Sequence, residues 1–169
     1  MKNKSLKRGF TLVEITFVAG IVTSLSLGVY TAAMQRGKTI DCLNNLKQIY
    51  QAVIMFEQDN DYLPNIKFFP NSFSDPQGLH NVLKQYGISG KVLFCPCLPD
   101  ELNKYGTNYI WNDNVNGKRI ENLSTSTWLL TEMTAVSKKI PPPHFGMYSV
   151  IYIDGHTSTE PKVNITQVE

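Results

Sequence analysis

Proline is absent from the first 63 residues of this 169-residue chain, and lysine and arginine are absent from residues 10–34. Proline would interrupt a helix because it lacks a backbone donor and clashes with the preceding turn. Residues 10–34 are mainly apolar and carry one formal charge, Glu14. About 20 predominantly apolar residues are enough to cross a bilayer. We therefore predict that residues 10–34 form the transmembrane half of a long helix.

The excess positive charge lies before this span. Residues 1–9 hold four of the 16 cations and none of the 14 acids, which leaves 12 cations against 14 acids, a formal charge of −2, in the rest. The positive-inside rule keeps the basic end in the cytoplasm and the remaining chain outside it. No nucleic-acid partner is expected, since the basicity belongs to the first nine residues alone.

A cleaved secretory signal is the alternative for an apolar segment near the N-terminus. Its apolar core has about 7–15 residues and is followed by an A-x-A-like cleavage site. The segment here is longer, and the Thr-Ala-Ala sequence at residues 31–33 is a poor cleavage site. We therefore interpret residues 10–34 as a retained membrane anchor.

Helical periodicity continues beyond the anchor. Between residues 40 and 56 apolar side chains recur at spacings of three and four, which predicts one apolar stripe on a polar helix. The stripe consists of Leu43, Leu46, Ile49, Tyr50, Val53 and Phe56. The turn formers and proline of DNDYLP, residues 59–64, end the helix. Residues 35–60 are therefore predicted to be an amphipathic helix half that packs on a globular head, residues 61–169.

The head is predicted to contain a short helix and an antiparallel sheet. Residues 74–87 carry capping and stop residues for the helix. Segments rich in β-branched and aromatic residues predict four strands at 91–95, 107–111, 126–131 and 148–153. Asn116-Gly117 and Asp154-Gly155 are hairpin-turn signals. The predicted fold class is α+β, with a long N-terminal helix packed on a small antiparallel sheet.

Cysteine is scarce, and the C-x-x-C pair of thioredoxin-like enzymes is missing. Outside the cytoplasm a disulfide persists, but three cysteines allow at most one intramolecular pair. Cys42 could pair with Cys95 or with Cys97, which would tie the head to its helix. A thiol enzyme using Cys95-Pro96-Cys97 is disfavoured because this C-x-C lies at a predicted strand end. A zinc site is not predicted, because the usual paired ligand spacing is lacking.

Residues 7–14, KRGFTLVE, resemble the processing site of type IV pilins and of the pseudopilins of type II secretion systems. The resemblance implies that residues 1–9 are a leader peptide. It further implies that a membrane-embedded prepilin peptidase cuts between Gly9 and Phe10 and methylates the new amino terminus of Phe10.

The same resemblance suggests why an acid stands inside the apolar run. A carboxylate at the centre of a membrane helix costs about 2.5–3.5 kcal/mol. In a filament of bundled helices, Glu14 would meet the liberated amine of Phe10 on a neighbouring subunit. Charge pairing in that low-dielectric bundle would set the register of one subunit on the next.

Two further parts of the chain carry the resemblance. Residues 42–64 look like the second half of the helix in major-pseudopilin-like proteins. His144, nine residues and then Asp154-Gly155 resemble the H-x9-DG group of pilin-like proteins. The resemblance implies a non-enzymatic filament subunit of the bacterial inner membrane with a periplasmic head. Its implied partners are the peptidase, other copies of itself, other pseudopilins and the inner-membrane secretion platform.

Two side-chain groups raise rival site chemistries. Asn112, Asn114 and Asn116 alternate before a glycine as calcium ligands do, and some major pseudopilins hold calcium. The segment has too few carboxylates for tight binding, so no cofactor is expected, with calcium as the open alternative. His144, Asp154 and His156 could form a catalytic or metal cluster, but no recognisable Ser or Cys nucleophile motif accompanies them.

Three other functions stay open from the sequence. The first is a minor type IV pilin for adhesion or DNA uptake. The second is a non-filamentous, signal-anchored periplasmic binding protein, for instance for glycans. The third is a periplasmic thiol enzyme, which would need an accessible Cys95 or Cys97.

The processing site predicts the chemistry of the mature amino terminus. We expect mass spectrometry of the protein from its native membrane to show an N-methylated Phe10 and loss of residues 1–9. A chain that retains Met1 in its functional form would contradict the prediction.

Overall fold

The computed structural model describes residues 9–88, 90–137 and 139–165, apart from the side chain of Leu27. It divides into two units, residues 1–35 and 36–169. The predicted leader lies outside the described residues, except for Gly9. The chain begins its regular structure with helix α1, Leu12–Asn60.

In the first unit, α1 is exposed on every side. Each side chain described between residues 10 and 34 is exposed, including Phe10 at 84% and Leu12 at 82%. By length and composition α1 is able to cross a membrane near the N-terminus. An apolar helix with no buried face needs lipid or other helices to cover it.

In the second unit, α1 buries one stripe. Leu46, Ile49 and Val53 are fully buried, whereas the predicted polar positions Asn44 and Lys47 are exposed. The helix ends where the turn residues begin, and Asp61 takes a positive φ of 65° immediately after Asn60. The predicted amphipathic pattern and helix end are therefore confirmed.

The head contains a four-stranded antiparallel sheet in the order β1-β2-β3-β4. Its strands are β1 Tyr109–Trp111, β2 Trp128–Glu132, β3 Tyr148–Tyr152 and β4 Thr157–Glu160. Residues of β1, β2 and β3 share one core cluster with the α1 stripe. A second apolar cluster, which includes Ile110 and Val150, also involves the sheet. The predicted α+β architecture is confirmed.

Two strand assignments differ from the prediction. Residues 91–95 were expected to be a strand, but Gly90–Leu93 is a 3₁₀ helix. Short apolar runs do not distinguish a strand from a buried turn of helix. The Leu93 carbonyl instead accepts hydrogen bonds from the backbone and side chain of the segment that enters β1. The fourth strand is β4, whose sequence TSTE has no apolar period.

The predicted short helix is shorter than the sequence signals suggest. Helix α2 spans Leu79–Leu83 and continues as a 3₁₀ turn, Lys84–Tyr86, which ends at Gly87 with φ +79°. Its N-cap is Gly78. Ser74 or Asp75 was expected to cap it, but Asp75 accepts backbone hydrogen bonds from residues 71 and 77 in the preceding loop.

The two predicted hairpin turns have different outcomes. Asp154-Gly155 joins β3 to β4, as expected. Asn116-Gly117 is a turn inside a longer connection between β1 and β2, which also contains two short 3₁₀ helices. There the Gly117 N–H bonds to the Leu63 carbonyl, just after α1. The turn therefore pairs with the segment that follows α1 and does not form a two-strand hairpin.

Gly155 lies directly against α1. It has φ +83°, and a Cβ at this position would lie 2.6 Å from Cε1 of the Tyr50 ring. The Tyr50 hydroxyl donates to the carbonyl of Ile153 at 3.0 Å. The β3–β4 turn can therefore approach α1 this closely because residue 155 has no side chain to collide with the Tyr50 ring.

We expect Gly155→Ala to cost more stability than Gly87→Ala. Both glycines have a left-handed backbone, in which a Cβ costs about 1–2 kcal/mol. Gly87 has no atom within 4 Å of its added Cβ, whereas Gly155 meets Tyr50. The contact should add about 1–3 kcal/mol of overpacking strain to Gly155→Ala. Urea unfolding of both variants in detergent measures the free energy of unfolding. Equal losses in the two variants would contradict the close contact between Gly155 and Tyr50.

Candidate functional site

The predicted cleavage site is accessible in the structure. Gly9 and Phe10 are both exposed, and an added Cβ on Gly9 would meet no atom within 4 Å. Leu12 begins α1, so the peptide bond between residues 9 and 10 lies before the helix. An exposed peptide bond outside a helix is one that a peptidase can bind.

Glu14 closes the first turn of α1. Its Oε2 atom accepts hydrogen bonds from the backbone N–H and the hydroxyl of Thr11, both at 2.8 Å. The Thr11 hydroxyl in turn accepts from the Glu14 N–H at 3.3 Å. This reciprocal arrangement is a capping box, in which two backbone donors of the helix start are satisfied. Sequence reasoning missed it, although the T-x-x-E spacing of residues 11–14 signals it.

The capping box leaves the charge of Glu14 without a cation. Among the described residues no ion pair includes Glu14. Thr11 contributes neutral donors, and both of its hydrogen bonds reach Oε2. The second carboxylate oxygen therefore remains available to a positively charged partner.

A second group of chemically active side chains is buried inside the head. It comprises Cys42 of α1, Cys95 of the loop before β1, Glu132 at the end of β2 and His144 just before β3. We call these four residues the buried cluster. Their exposed fractions are 2% or less. Four separate segments of the chain therefore meet at one point.

Cys42 and Cys95 form a disulfide within this cluster. This is one of the two pairings left open by the sequence, and Cys97 lies outside the bond. The bridge closes a chain separation of 53 residues. Closing a loop of that length removes about 4 kcal/mol of conformational entropy from the unfolded chain. The disulfide ties α1 covalently to the head.

His144 joins the other members of the cluster. Its Nε2 lies 2.9 Å from Oε1 of Glu132 and 3.5 Å from Sγ of Cys95. Its Nδ1 lies 3.1 Å from the hydroxyl of Thr39 on α1. The second Glu132 oxygen accepts the backbone N–H of Ser149 at 2.6 Å. Both ring nitrogens and both carboxylate oxygens are thus held in place.

Tyr109 borders the same region. It is the register partner of Glu132 across β1 and β2. Burial raises the pKa of the Tyr109 phenol strongly, the Glu132 carboxylate raises it further, and the Asn45 side chain lowers it. The phenol therefore stays protonated next to the cluster at any physiological pH.

The three residues considered for a catalytic cluster are not brought together. Asp154 and His156 form their own pair on the β3–β4 turn, with His156 Nδ1 2.5 Å from Asp154 Oδ1. The His156 backbone N–H and then its imidazole lower the pKa of Asp154. The His156 ring stacks on Tyr152 at 4.3 Å. His144 bonds to an entirely different set of residues.

Two of the asparagines considered for calcium, Asn112 and Asn116, make hydrogen bonds within the head. Asn112 Oδ1 accepts the N–H of Asn114, and its amide donates to the carbonyl of Trp128. Asn116 Oδ1 accepts the Trp111 indole N–H at 2.7 Å and the backbone N–H of residue 66. The Oδ1 atoms of Asn112 and Asn116 therefore already accept hydrogen bonds within the fold, and calcium would have to compete with those donors.

Three residues with clear roles were missed in the sequence. Thr11 was signalled by the capping-box spacing. The signal for Glu132 was its position: a carboxylate directly after an apolar strand sequence needs a partner if it is buried. Tyr50 was assigned to the stripe, but its hydroxyl contact with the Asp154-Gly155 turn depends on a fold that brings distant segments together.

Comparison of the chain with protein-family models, with curated proteins and with solved structures finds no match. The family resemblance therefore depends on the residues already quoted and on the α+β architecture.

We expect Glu132→Ala to destabilise the protein far more than Glu121→Ala. Removing Glu132 leaves His144 and the Ser149 N–H buried without their acceptor, and breaking a buried pair costs about 3–5 kcal/mol. The Glu121 side chain is 68% exposed and pairs only with Arg119 at the surface. An exposed pair of that kind contributes about 0–1 kcal/mol. Chemical unfolding with the disulfide intact tests this, and similar losses for both variants would contradict it.

Proposed function

We propose that this chain is a membrane-anchored structural subunit of a pilus-like filament, a pseudopilin of a type II secretion-like system. In this proposal the chain is processed between Gly9 and Phe10 and assembles through α1. The observation that carries the proposal is the KRGFTLVE sequence at the start of a helix whose first half is apolar and has no buried face.

The exposure of the first half of α1 supports an assembly role. Large apolar side chains lie on all sides of this segment, so no single partner surface would cover them. They include Leu12, Val13, Ile15, Phe17, Val18, Ile21, Val22, Leu25 and Val29. A bilayer covers such a helix before assembly, and a bundle of identical helices covers it afterwards. The proposed subunit therefore moves between two apolar environments.

Glu14 provides the polar contact that such a bundle needs. In one chain the carboxylate caps its own helix and keeps one oxygen available. Cleavage would create an amine on Phe10, four residues earlier. Pairing that amine with Glu14 of a neighbour would offset the two helices along their axes by a fixed distance. A buried charge without its partner is costly, so the pairing would also set the register.

The head supports the same proposal through its connection to α1. The Cys42–Cys95 disulfide and the Tyr50 contact both join the second half of α1 to the head. A filament subunit is moved by its helix, so its head must follow the helix without unfolding. The inner membrane and the periplasm are the proposed locations of the two parts.

Two substitutions separate helix capping from charge pairing. Glu14→Gln keeps a side chain that fits a capping box but removes the charge. Thr11→Ala removes the capping hydroxyl but keeps the carboxylate. We expect Glu14→Gln to abolish filament assembly and Thr11→Ala to leave it largely intact. Assembly is measured as sheared filaments and as cross-linking between subunits in the producing cell.

Two controls make this result decisive. Membrane fractionation and mass spectrometry of the amino terminus must show that both variants are inserted and processed. Normal assembly of the processed Glu14→Gln variant would overturn the charge-pairing mechanism. Absence of any filament or subunit cross-link in the processed wild type would overturn the filament proposal and favour a monomeric anchored protein.

A further inference from the structure

The buried cluster contains a complete set of metal-binding atoms. One ligand atom from each of Cys42, Cys95, Glu132 and His144 lies within 4.8 Å of every other. We propose that when the Cys42–Cys95 disulfide is reduced, these four side chains bind a Zn²⁺ ion. This inference does not depend on the filament function.

The ligand atoms are already aimed at a common centre. His144 directs Nε2 to both Glu132 Oε1 and Cys95 Sγ, while the Thr39 hydroxyl holds Nδ1. Glu132 directs Oε1 inward, while the Ser149 N–H holds Oε2. Metal-binding histidines and carboxylates are typically held in this way by a partner on the atom that does not bind the metal.

The size and composition of the cluster fit zinc. Zinc prefers four ligands in a tetrahedron, with sulfur at about 2.3 Å and nitrogen or oxygen at about 2.0–2.2 Å. Those bond lengths separate neighbouring ligand atoms by about 3.3–3.8 Å. The 4.8 Å limit of the cluster therefore requires only small side-chain movements once the sulfurs separate.

The charge of the cluster is the same in both forms. Reduction by a dithiol breaks the S–S bond with two electrons, yields two protein thiols and converts the dithiol to its own disulfide. Zinc binding then releases the two thiol protons to solvent. A proton that His144 Nε2 shares with Glu132 Oε1 must also leave this nitrogen, and in a neutral imidazole it is replaced by a proton on Nδ1, beside the Thr39 hydroxyl, so the charge of the ring is unchanged. Zn²⁺ and two thiolates together are neutral, as the disulfide is. Exchange of the disulfide for zinc therefore adds no net charge to a buried site, where an uncompensated charge is expensive.

Either form joins the same two segments. The disulfide links α1 to the loop before β1, and the zinc ion would link both to β2 and to the segment before β3. Sequence spacing disfavoured a zinc site because no two of these ligands are close along the chain. The fold brings them together from four segments. The proposed site would keep the head attached to α1 under reducing conditions.

The chain offers a matched control in Cys97. It lies two residues from Cys95, outside both the disulfide and the buried cluster. Cys97→Ser therefore keeps all four proposed ligands, whereas Cys42→Ser removes one. The full chain in detergent is reduced with a phosphine, desalted without oxygen and titrated with Zn²⁺ or Co²⁺ alone. Oxidised wild type is titrated in parallel.

We expect about one zinc per chain in reduced wild type and reduced Cys97→Ser, and none in the oxidised protein. In Cys42→Ser the affinity for zinc should fall at least about tenfold. Loss of a residue that only orients a metal ligand already costs about that much, and Cys42 is a ligand itself. Cobalt in reduced Cys97→Ser should show sulfur-to-metal charge transfer and tetrahedral visible bands.

Three results would overturn the proposal. The first is equal zinc uptake by the oxidised and reduced forms of Cys97→Ser. The second is unchanged affinity in Cys42→Ser. The third is that reduction alone abolishes the near-ultraviolet circular dichroism of the head in Cys97→Ser and that zinc then fails to restore this signal.

Discussion

The packing of the α1 stripe against the sheet is the constraint on which the rest of this structure depends. Leu46, Ile49 and Val53 are completely buried, and they share a core with residues of three strands. Fully burying side chains of this size stabilises a protein by about 1.5–3 kcal/mol each. The opposite side of the same helix segment is mainly polar, so this stripe sets the rotation of α1 on the head, together with the disulfide and the Tyr50 contact.

That packing explains the His144 and Asp154-Gly155 spacing as two attachments to one helix. His144 reaches α1 through Thr39 and the disulfide cysteine Cys95, whereas Gly155 reaches it through the ring of Tyr50. Strand β3 lies between the two attachments. The two attachments to α1 therefore lie on either side of β3 along the chain.

The sequence was informative where a pattern is repeated and misleading where the decisive contact is distant. The stripe of α1 repeats over several turns, so its period was unambiguous. The segment 91–95 offered only five positions, and the 3₁₀ helix found at Gly90–Leu93 is joined by hydrogen bonds to the segment that enters β1. Strand β4 is polar and is set by its pairing with β3. Glu132 lies just beyond the predicted strand at 126–131, and its partners His144 and Ser149 are distant in the chain, so the sequence did not reveal the contact.

In the proposed filament, Glu14 would serve two states of the subunit. A carboxylate next to a membrane is tolerable when it satisfies backbone donors at a helix start, as Glu14 does through Thr11. The same group leaves its negative charge unpaired within the described chain. An amine created by proteolysis would compensate that charge only after cleavage. Because the capping contacts are neutral, they would not need to break for the charge to be paired, and a processed neighbour could bind without unwinding the helix.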